Sequence, residues 1–110
     1  MDGYGLYHWI TDGSGLPVQT DDIKLWAEFM ASPARRVGWD VIGEGPREVK
    51  VSTVFLGIDH SFGWDGGPVL WETMIFGGKH DNYQERYTTL EDAKAGHLKA
   101  VELAKDGGDR

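Results

Sequence analysis

The chain has 110 residues, no cysteine and a formal charge of −7. This length fits one domain that can bury a core without cross-links, and the lack of cysteine excludes disulfides, thiol catalysis and thiolate metal sites. The acidic balance disfavours generic nucleic-acid binding, which needs a basic surface. Because neither a secretory leader nor a run of ~20 apolar residues is present, we expect a cytoplasmic protein with no membrane contact.

The first half of the chain predicts a strand, a helix and a second strand. Residues 4–10 alternate loosely in polarity, as in an edge strand. Thr20 precedes two aspartates, a good helix start, and apolar residues then repeat at helical spacing until Pro33 ends the helix. Residues 37–42 predict a strand, and residues 43–46 a turn.

The second half predicts two apolar strands, a short strand and a long helix. Residues 49–58 and 69–76 are rich in β-branched and aromatic side chains. The loop at 59–68 joins them. Residues 83–87 alternate in polarity and predict a short fourth strand, which leads to the last helix at about residues 90–105.

The start and the middle of the last helix carry separate signals. Thr88 and Glu91 match a capping box, in which hydroxyl and carboxylate each satisfy a free backbone amide. Gly96 lies in the helix interior, where glycine costs about 1 kcal/mol relative to alanine. A close contact between this helix and the sheet beside His97 would explain this glycine; simple tolerance of glycine at a marginal position is the alternative.

This order of elements predicts an α+β fold in a single domain spanning residues 1–110. We expect an antiparallel β-meander of three to five strands with two helices packed on one face. The central strands are apolar on both faces, so the second face is either covered or awaits a partner chain. A homodimer through that face or through an edge strand is a further expectation.

The hairpin of the two apolar strands carries the candidate chemistry. Asp59 and His60 follow the first strand, Glu72 lies within the second, and His97 lies on the apolar stripe of the last helix. Imidazole and carboxylate groups are the ligands of a cysteine-free zinc, manganese or iron site, and His60 and His97 are the candidate metal ligands. The alternative is a hydrogen-bonded core histidine and an aspartate that caps its own turn.

Glu72 also allows two interpretations. Burial in an apolar strand could raise its pKa and make it a general acid or base. An ion pair with Arg86 or Lys50 on a neighbouring strand explains the same residue, and we favour it. We expect residue 58 to pair near residue 70, which would direct Glu72 and His60 to the same sheet face.

Trp64 lies in a loop rich in glycine and aspartate and is the second kind of candidate. An exposed tryptophan can anchor a protein interface or stack on a nucleotide base. It can equally fold back and cover the hairpin. The chain has no serine in a nucleophile elbow, and its glycine pairs do not precede helices that could hold a phosphate. The sequence therefore favours a protein that is not an enzyme and identifies no cofactor.

Three segments, VSTVFLGIDHSFG, VLWETMIFGG and ERYTTLEDAKAGHLKAV, resemble a family of small uncharacterised phage and prophage proteins. The resemblance covers residues 49–101 and assigns no residue a role. It implies a viral accessory protein in the cytoplasm of an infected bacterium. Small acidic phage proteins often act by stoichiometric binding to host machinery.

The leading hypothesis is therefore a non-enzymatic phage accessory protein that binds a host protein, such as a defence component. Its acidic surface would be steered to a basic groove on that partner. The alternative is a metal- or nucleotide-binding domain centred on Asp59, His60, Glu72 and His97, either a small hydrolase or a protein that sequesters a signalling nucleotide. A virion or assembly component is a third hypothesis.

Overall fold

The computed structural model describes residues 8–61 and 65–107. Within these ranges the secondary structure in chain order is β1 Trp9–Thr11, β2 Pro17–Gln19, α1 Ile23–Met30, β3 Arg36–Ile42, β4 Val49–Phe55, β5 Trp71–Phe76, β6 Gln84–Tyr87 and α2 Leu90–Gly107. Short 3₁₀ turns precede and follow β3. The fold class is α+β, as predicted from the sequence.

Strands β3 to β6 form a four-stranded antiparallel meander in sequential order. The two central strands, β4 and β5, are rich in residues that suit a pleated, half-buried surface, and Val51 lies directly opposite Ile75. The edge strand β3 contains an irregularity between Arg36 and Gly38 that shifts its register against β4. Such bulges bend an edge strand and discourage further pairing.

Helix α2 covers one face of the meander and contacts all four strands. Alternate residues of β4 and β5 are buried beneath it, because successive side chains of a strand point to opposite faces. Ala93, Ala100 and Ala104 are buried on the inner side of α2 and are small enough for close approach to the sheet. The core divides into a cluster around Ile75 and a cluster around Trp71.

The elements before the meander form a separate unit, which we call the arm (residues 8–31). β1 and β2 pair in their own two-stranded antiparallel sheet, and no residue of the arm is fully buried. The Trp26 indole N–H donates to the carbonyl of Gly57 at 2.9 Å. The Phe29 ring packs edge-on against Phe55. The arm is thus attached beside the end of β4.

The prediction of an N-terminal edge strand is wrong for the described residues. Residues 9–11 belong to a separate hairpin with β2 and not to the edge of the main sheet, while residues 4–7 lie outside the described residues. β2 has only three residues and begins at Pro17, so it carries too little alternation to be recognised from sequence.

Both helix starts are displaced from their predicted caps. Asp22, and not Thr20, caps α1: its carboxylate accepts from the backbone amide three residues later at 3.0 Å. At α2 the hydroxyl of Thr89 accepts from the amide of Asp92 at 3.0 Å. The predicted capping residue Thr88 is therefore off by one position, because two consecutive threonines offer the same group.

The connection between β4 and β5 is longer than predicted. The backbone amide of Leu56 still donates to the carbonyl of Leu70 at 2.7 Å, and this pairing lies two residues away from the expected register. Gly57 then adopts a φ of +78°, in the left-handed region that favours glycine. The chain leaves the sheet at this glycine, which ends β4 earlier than its apolar sequence suggests.

The face of the meander opposite α2, which we call the open face, is exposed within the described part of the chain. Its outward side chains are Arg36, Trp39, Val41, Lys50, Ser52, Val54, Glu72, Met74, Phe76, Gln84 and Arg86. Trp39, Val41 and Phe76 expose 42%, 47% and 44% of their surface. The sequence left open whether the second sheet face is covered. Among the described residues, this face is uncovered.

Candidate functional site

A row of polar side chains crosses the core between the sheet and α2. Thr53 in β4 and Thr73 in β5 are paired across the two strands, and both are fully buried. His97 lies above them on the inner side of α2. Gly38 in β3 leaves the space for its ring, because a Cβ at this glycine would lie 2.8 Å from three ring atoms.

Hydrogen bonds join these groups into a continuous chain that ends at Asp40. The hydroxyls of Thr53 and Thr73 are hydrogen-bonded to each other. Thr53 Oγ1 lies 2.7 Å from His97 Nδ1, and His97 Nε2 lies 2.9 Å from Asp40 Oδ2. The side chain of Asp40 is half exposed. The polar chain therefore runs from solvent at the sheet edge to the centre of the core.

The carboxylate of Asp40 fixes the direction of these hydrogen bonds. An ionised carboxylate only accepts, so His97 Nε2 carries a proton and donates it to Asp40. In the neutral imidazole Nδ1 then accepts from the Thr53 hydroxyl, which in turn accepts from Thr73. Each polar group in this hydrogen-bonded row thereby has a partner, as burial in a low-dielectric core requires.

The same order of hydroxyl, imidazole and carboxylate occurs in enzymes that activate a hydroxyl nucleophile. Such a nucleophile must reach the substrate, but Thr53 has no exposed surface and lies beneath α2. The chain of hydrogen bonds is therefore structural: it ties α2 to three strands and fixes how the helix sits on the sheet.

Tyr87 lies beside this network and explains the glycine in the helix interior. A Cβ at Gly96 would lie 2.1 Å from the Tyr87 hydroxyl oxygen, so the predicted close contact of Gly96 with the sheet is confirmed. The hydroxyl is buried and makes no hydrogen bond of good geometry. Burial raises the pKa of Tyr87, although the neighbouring hydroxyl of Thr73 acts in the opposite direction.

Asp59 and His60 lie in the β4–β5 connection and have local contacts. Asp59 Oδ1 accepts from the amides of Ser61 at 2.7 Å and Val69 at 2.9 Å. Burial alone would raise the pKa of Asp59, but these amides stabilise the carboxylate and hold its pKa below the usual 3.8. His60 Nδ1 lies 2.7 Å from the carbonyl oxygen of Ile58. The interpretation of Asp59 as a turn cap is confirmed.

Glu72 lies on the open face and forms the predicted ion pair with Arg86. Arg86 Nε donates to Glu72 Oε2 at 2.9 Å, and the side-chain amide of Gln84 donates to the same oxygen. The other predicted partner, Lys50, lies 3.5 Å from Glu48 instead. Cross-strand pairs of opposite charge stabilise a sheet modestly, so this arrangement explains Glu72 without acid–base chemistry.

The structure does not assemble the predicted residues into one site. Both ring nitrogens of His97 are engaged inside the core, which leaves neither available to share a metal ion with His60. Within residues 8–61 and 65–107, no group of three histidine, aspartate or glutamate side chains could hold a metal ion. The metal site at His60 and His97 therefore has no third ligand among these residues and stays a prediction. Trp64 lies outside the described residues.

Three members of the observed network were missed from the sequence. Thr53 has the same parity in β4 as Val51, so a polar group is buried where it needs a partner. Gly38 interrupts a strand, and a glycine inside a strand often marks a close approach of another group. Asp40 carries no local signal, because its partner His97 is 57 residues away.

Comparison with protein-family models, curated proteins and solved structures gives no match for this chain. Among the residues that the structure describes, no helix is long and apolar enough to cross a bilayer.

Proposed function

We propose that the protein is a non-enzymatic phage accessory protein that acts by stoichiometric binding to a protein of its bacterial host. The setting, which is the cytoplasm of the infected cell, is part of the same proposal and follows from the resemblance to small phage proteins expected for residues 49–101. Inhibition of a host-defence component is the narrower form of the same proposal. The arm carries the argument for binding.

The arm is apolar and acidic at the same time. Leu16, Val18, Ile23 and Leu25 expose 56%, 43%, 52% and 42% of their surface. The charged residues of the arm are Asp12, Asp21, Asp22, Lys24 and Glu28. Four acidic groups against one lysine make this unit strongly negative for its size.

A surface of this kind suits a basic groove lined by apolar side chains. Burial of the apolar groups would supply affinity, and opposite charge would steer association and select the partner. Because exposed charges are screened by salt, the interaction should weaken as ionic strength rises.

The polar residues of the core support binding over catalysis. Thr53 and His97 form a hydroxyl–imidazole pair, but the hydroxyl is inaccessible. The alternative of a metal-binding site lacks an assembled group of three ligands in the described parts of the chain. No observation favours that second function.

The test is capture of a host protein on the immobilised full chain, with variants that separate the arm from the rest. We expect the wild-type chain to retain one host protein at about equal molar amount, less of it at high salt, and Leu25→Lys to lose it. Leu98→Lys is the matched control, since Leu98 is 67% exposed on α2, outside the arm. Retention by Leu25→Lys equal to wild type, or capture of no host protein, would contradict the proposal.

A further inference from the structure

We infer that the open face is a docking surface for the arm of a second copy of this chain, so that two copies form a reciprocal pair. The evidence for this inference is independent of the host partner, but both occupants use the arm, so a docked arm must leave the second copy before it can bind a host protein. It rests on the chemistry of two exposed surfaces of the same molecule and on the small number of ways in which they can be combined.

The open face offers apolar contacts around a shallow centre. Ser52, a small residue, lies between Trp39 and Met74 in one row across the sheet. Val41 and Phe76 lie in the next row and are nearly half exposed. Large apolar side chains around a small one form a surface into which the apolar side chains of another unit can pack.

The charge of the open face is opposite to that of the arm. Its outward side chains include three cations, Arg36, Lys50 and Arg86, and one carboxylate, Glu72. When Glu48, which lies 3.5 Å from Lys50, is included, the cations still outnumber the carboxylates. Three cations against two carboxylates give this face a net formal charge of +1, whereas four acidic groups against one lysine give the arm a net formal charge of −3.

Charge distinguishes the three ways in which two copies can meet. Two arms would bring together like negative charges, and two open faces would bring together like positive charges, both of which oppose association. Only the arm on the open face joins opposite charges. Both of these surfaces carry exposed apolar side chains, so the same pairing also removes apolar surface from water.

The area of the open face also favours a pair in which each arm packs on the open face of the other copy. Four strands about 4.8 Å apart and about six residues long give a face of roughly 400 Å². Two faces packed together would bury about that area from each copy, which is half of the roughly 800 Å² per partner in a standard interface. If each copy contributes both its arm and its face, the area per copy reaches that standard value.

The β3 edge of the sheet is a weaker candidate for self-association. β3 contains a bulge near Gly38. Asp40 directs its carboxylate toward His97 on the helix side of the strand. A bulge and an inward-pointing charge are the features that discourage strand addition at a sheet edge. Each copy has one arm and one open face, so a two-fold pair in which each arm lies on the partner's face would use both surfaces of both copies.

The first measurement is sedimentation equilibrium of the full chain at increasing concentration in low and high salt. We expect a monomer–dimer equilibrium that is at least about tenfold weaker in high salt, since the contact joins opposite exposed charges. Phe76→Glu on the open face and Leu25→Lys on the arm should each weaken dimerisation by about tenfold or more. Leu98→Lys should dimerise like wild type, because Leu98 belongs to neither surface.

An equimolar mixture of the Phe76→Glu and Leu25→Lys chains is the decisive sample. The first chain keeps a wild-type arm and the second keeps a wild-type face, so one of the two contacts returns. The mixture should therefore associate more strongly than either chain alone and more weakly than wild type. A face-to-face or edge-to-edge dimer would not be rescued by mixing. The inference is overturned if wild type stays monomeric, if the mixture associates no more strongly than either variant alone, or if assemblies grow without limit.

Self-association and host binding can be tested independently of each other. Phe76→Glu changes only the open face, so it should lose self-association and still capture a host protein through its intact arm. All three substituted side chains are at least 42% exposed, so the variants should fold like wild type. Circular dichroism and thermal unfolding of each variant check this. Loss of host capture in Phe76→Glu would contradict the assignment of the two surfaces.

Discussion

Gly38→Ala provides a direct test of the fit between β3 and α2. The new methyl group would lie 2.8 Å from three atoms of the His97 ring, whereas ordinary contacts of this kind are 3.4–4 Å. The ring cannot move aside freely, because its two nitrogens are hydrogen-bonded at 2.7 Å and 2.9 Å to Thr53 and Asp40. The substitution must therefore either displace the helix or break the hydrogen-bonded chain.

The expected cost can be estimated from general values. Overpacking of a core costs about 1–3 kcal/mol, and a buried hydroxyl left without its partner costs about 1–3 kcal/mol. Replacement of glycine by alanine gains about 0.4–1 kcal/mol by restricting the unfolded chain. We expect Gly38→Ala to lower the free energy of unfolding by about 2 kcal/mol or more.

A double-mutant cycle with His97→Ala isolates the contact. Once the ring is removed, Gly38→Ala should be neutral or slightly stabilising, so the two substitutions should couple by about 2 kcal/mol. Urea unfolding followed by circular dichroism measures all four proteins, and Gly13→Ala serves as the control because nothing lies within 4 Å of its added Cβ. An equal cost of Gly38→Ala with and without the His97 ring would refute the reasoning.

Three further predictions concern the same core and its neighbouring loop. Thr53→Val should destabilise the fold by about 1–3 kcal/mol, because it leaves His97 and Thr73 without a hydroxyl partner. Thr53→Ser is the control and should keep the hydrogen bonds. Equal stability of wild type and both variants in thermal unfolding would argue against the network. Gly96→Ala should destabilise despite a helix-propensity gain of about 1 kcal/mol, because its Cβ would meet the Tyr87 hydroxyl; a higher melting temperature would be the contrary result. Since the pKa of Asp59 is lowered from 3.8, its carboxylate should contribute stability above pH 3.8 that is lost as the pH falls through its lower folded value. Asp59→Asn should lack this part of the acid dependence, and unchanged pH profiles of the free energy of unfolding would contradict the assignment.

Local sequence patterns predicted much of the meander. β4 and β5 follow from runs of β-branched and aromatic residues, and Pro33 correctly marks the end of α1 near Ala31. Gly96 indicated a close helix–sheet contact. Each of these signals depends on only a few neighbouring residues, so it can be recognised without knowledge of contacts with distant parts of the chain.

The features that were missed depend on distant partners. Nothing near Asp40 shows that its carboxylate meets His97, and nothing near Gly38 shows which ring needs its space. Likewise, His97 could be placed on the inner side of a helix from periodicity, but its hydrogen bonds to Thr53 and Asp40 come from two different strands. Sequence patterns therefore located the polar residue and not the network that satisfies it.

The shallow burial of the arm divides the chain into two levels of stability. Backbone amides in β4 and β5 lie in the fully buried core and should exchange their hydrogens only when the whole fold opens, whereas amides of residues 8–31 should exchange through a much smaller local opening. A molecule that holds the arm would raise the protection of those amides first and leave the core amides unchanged. Hydrogen exchange would thereby report arm binding before any partner is identified.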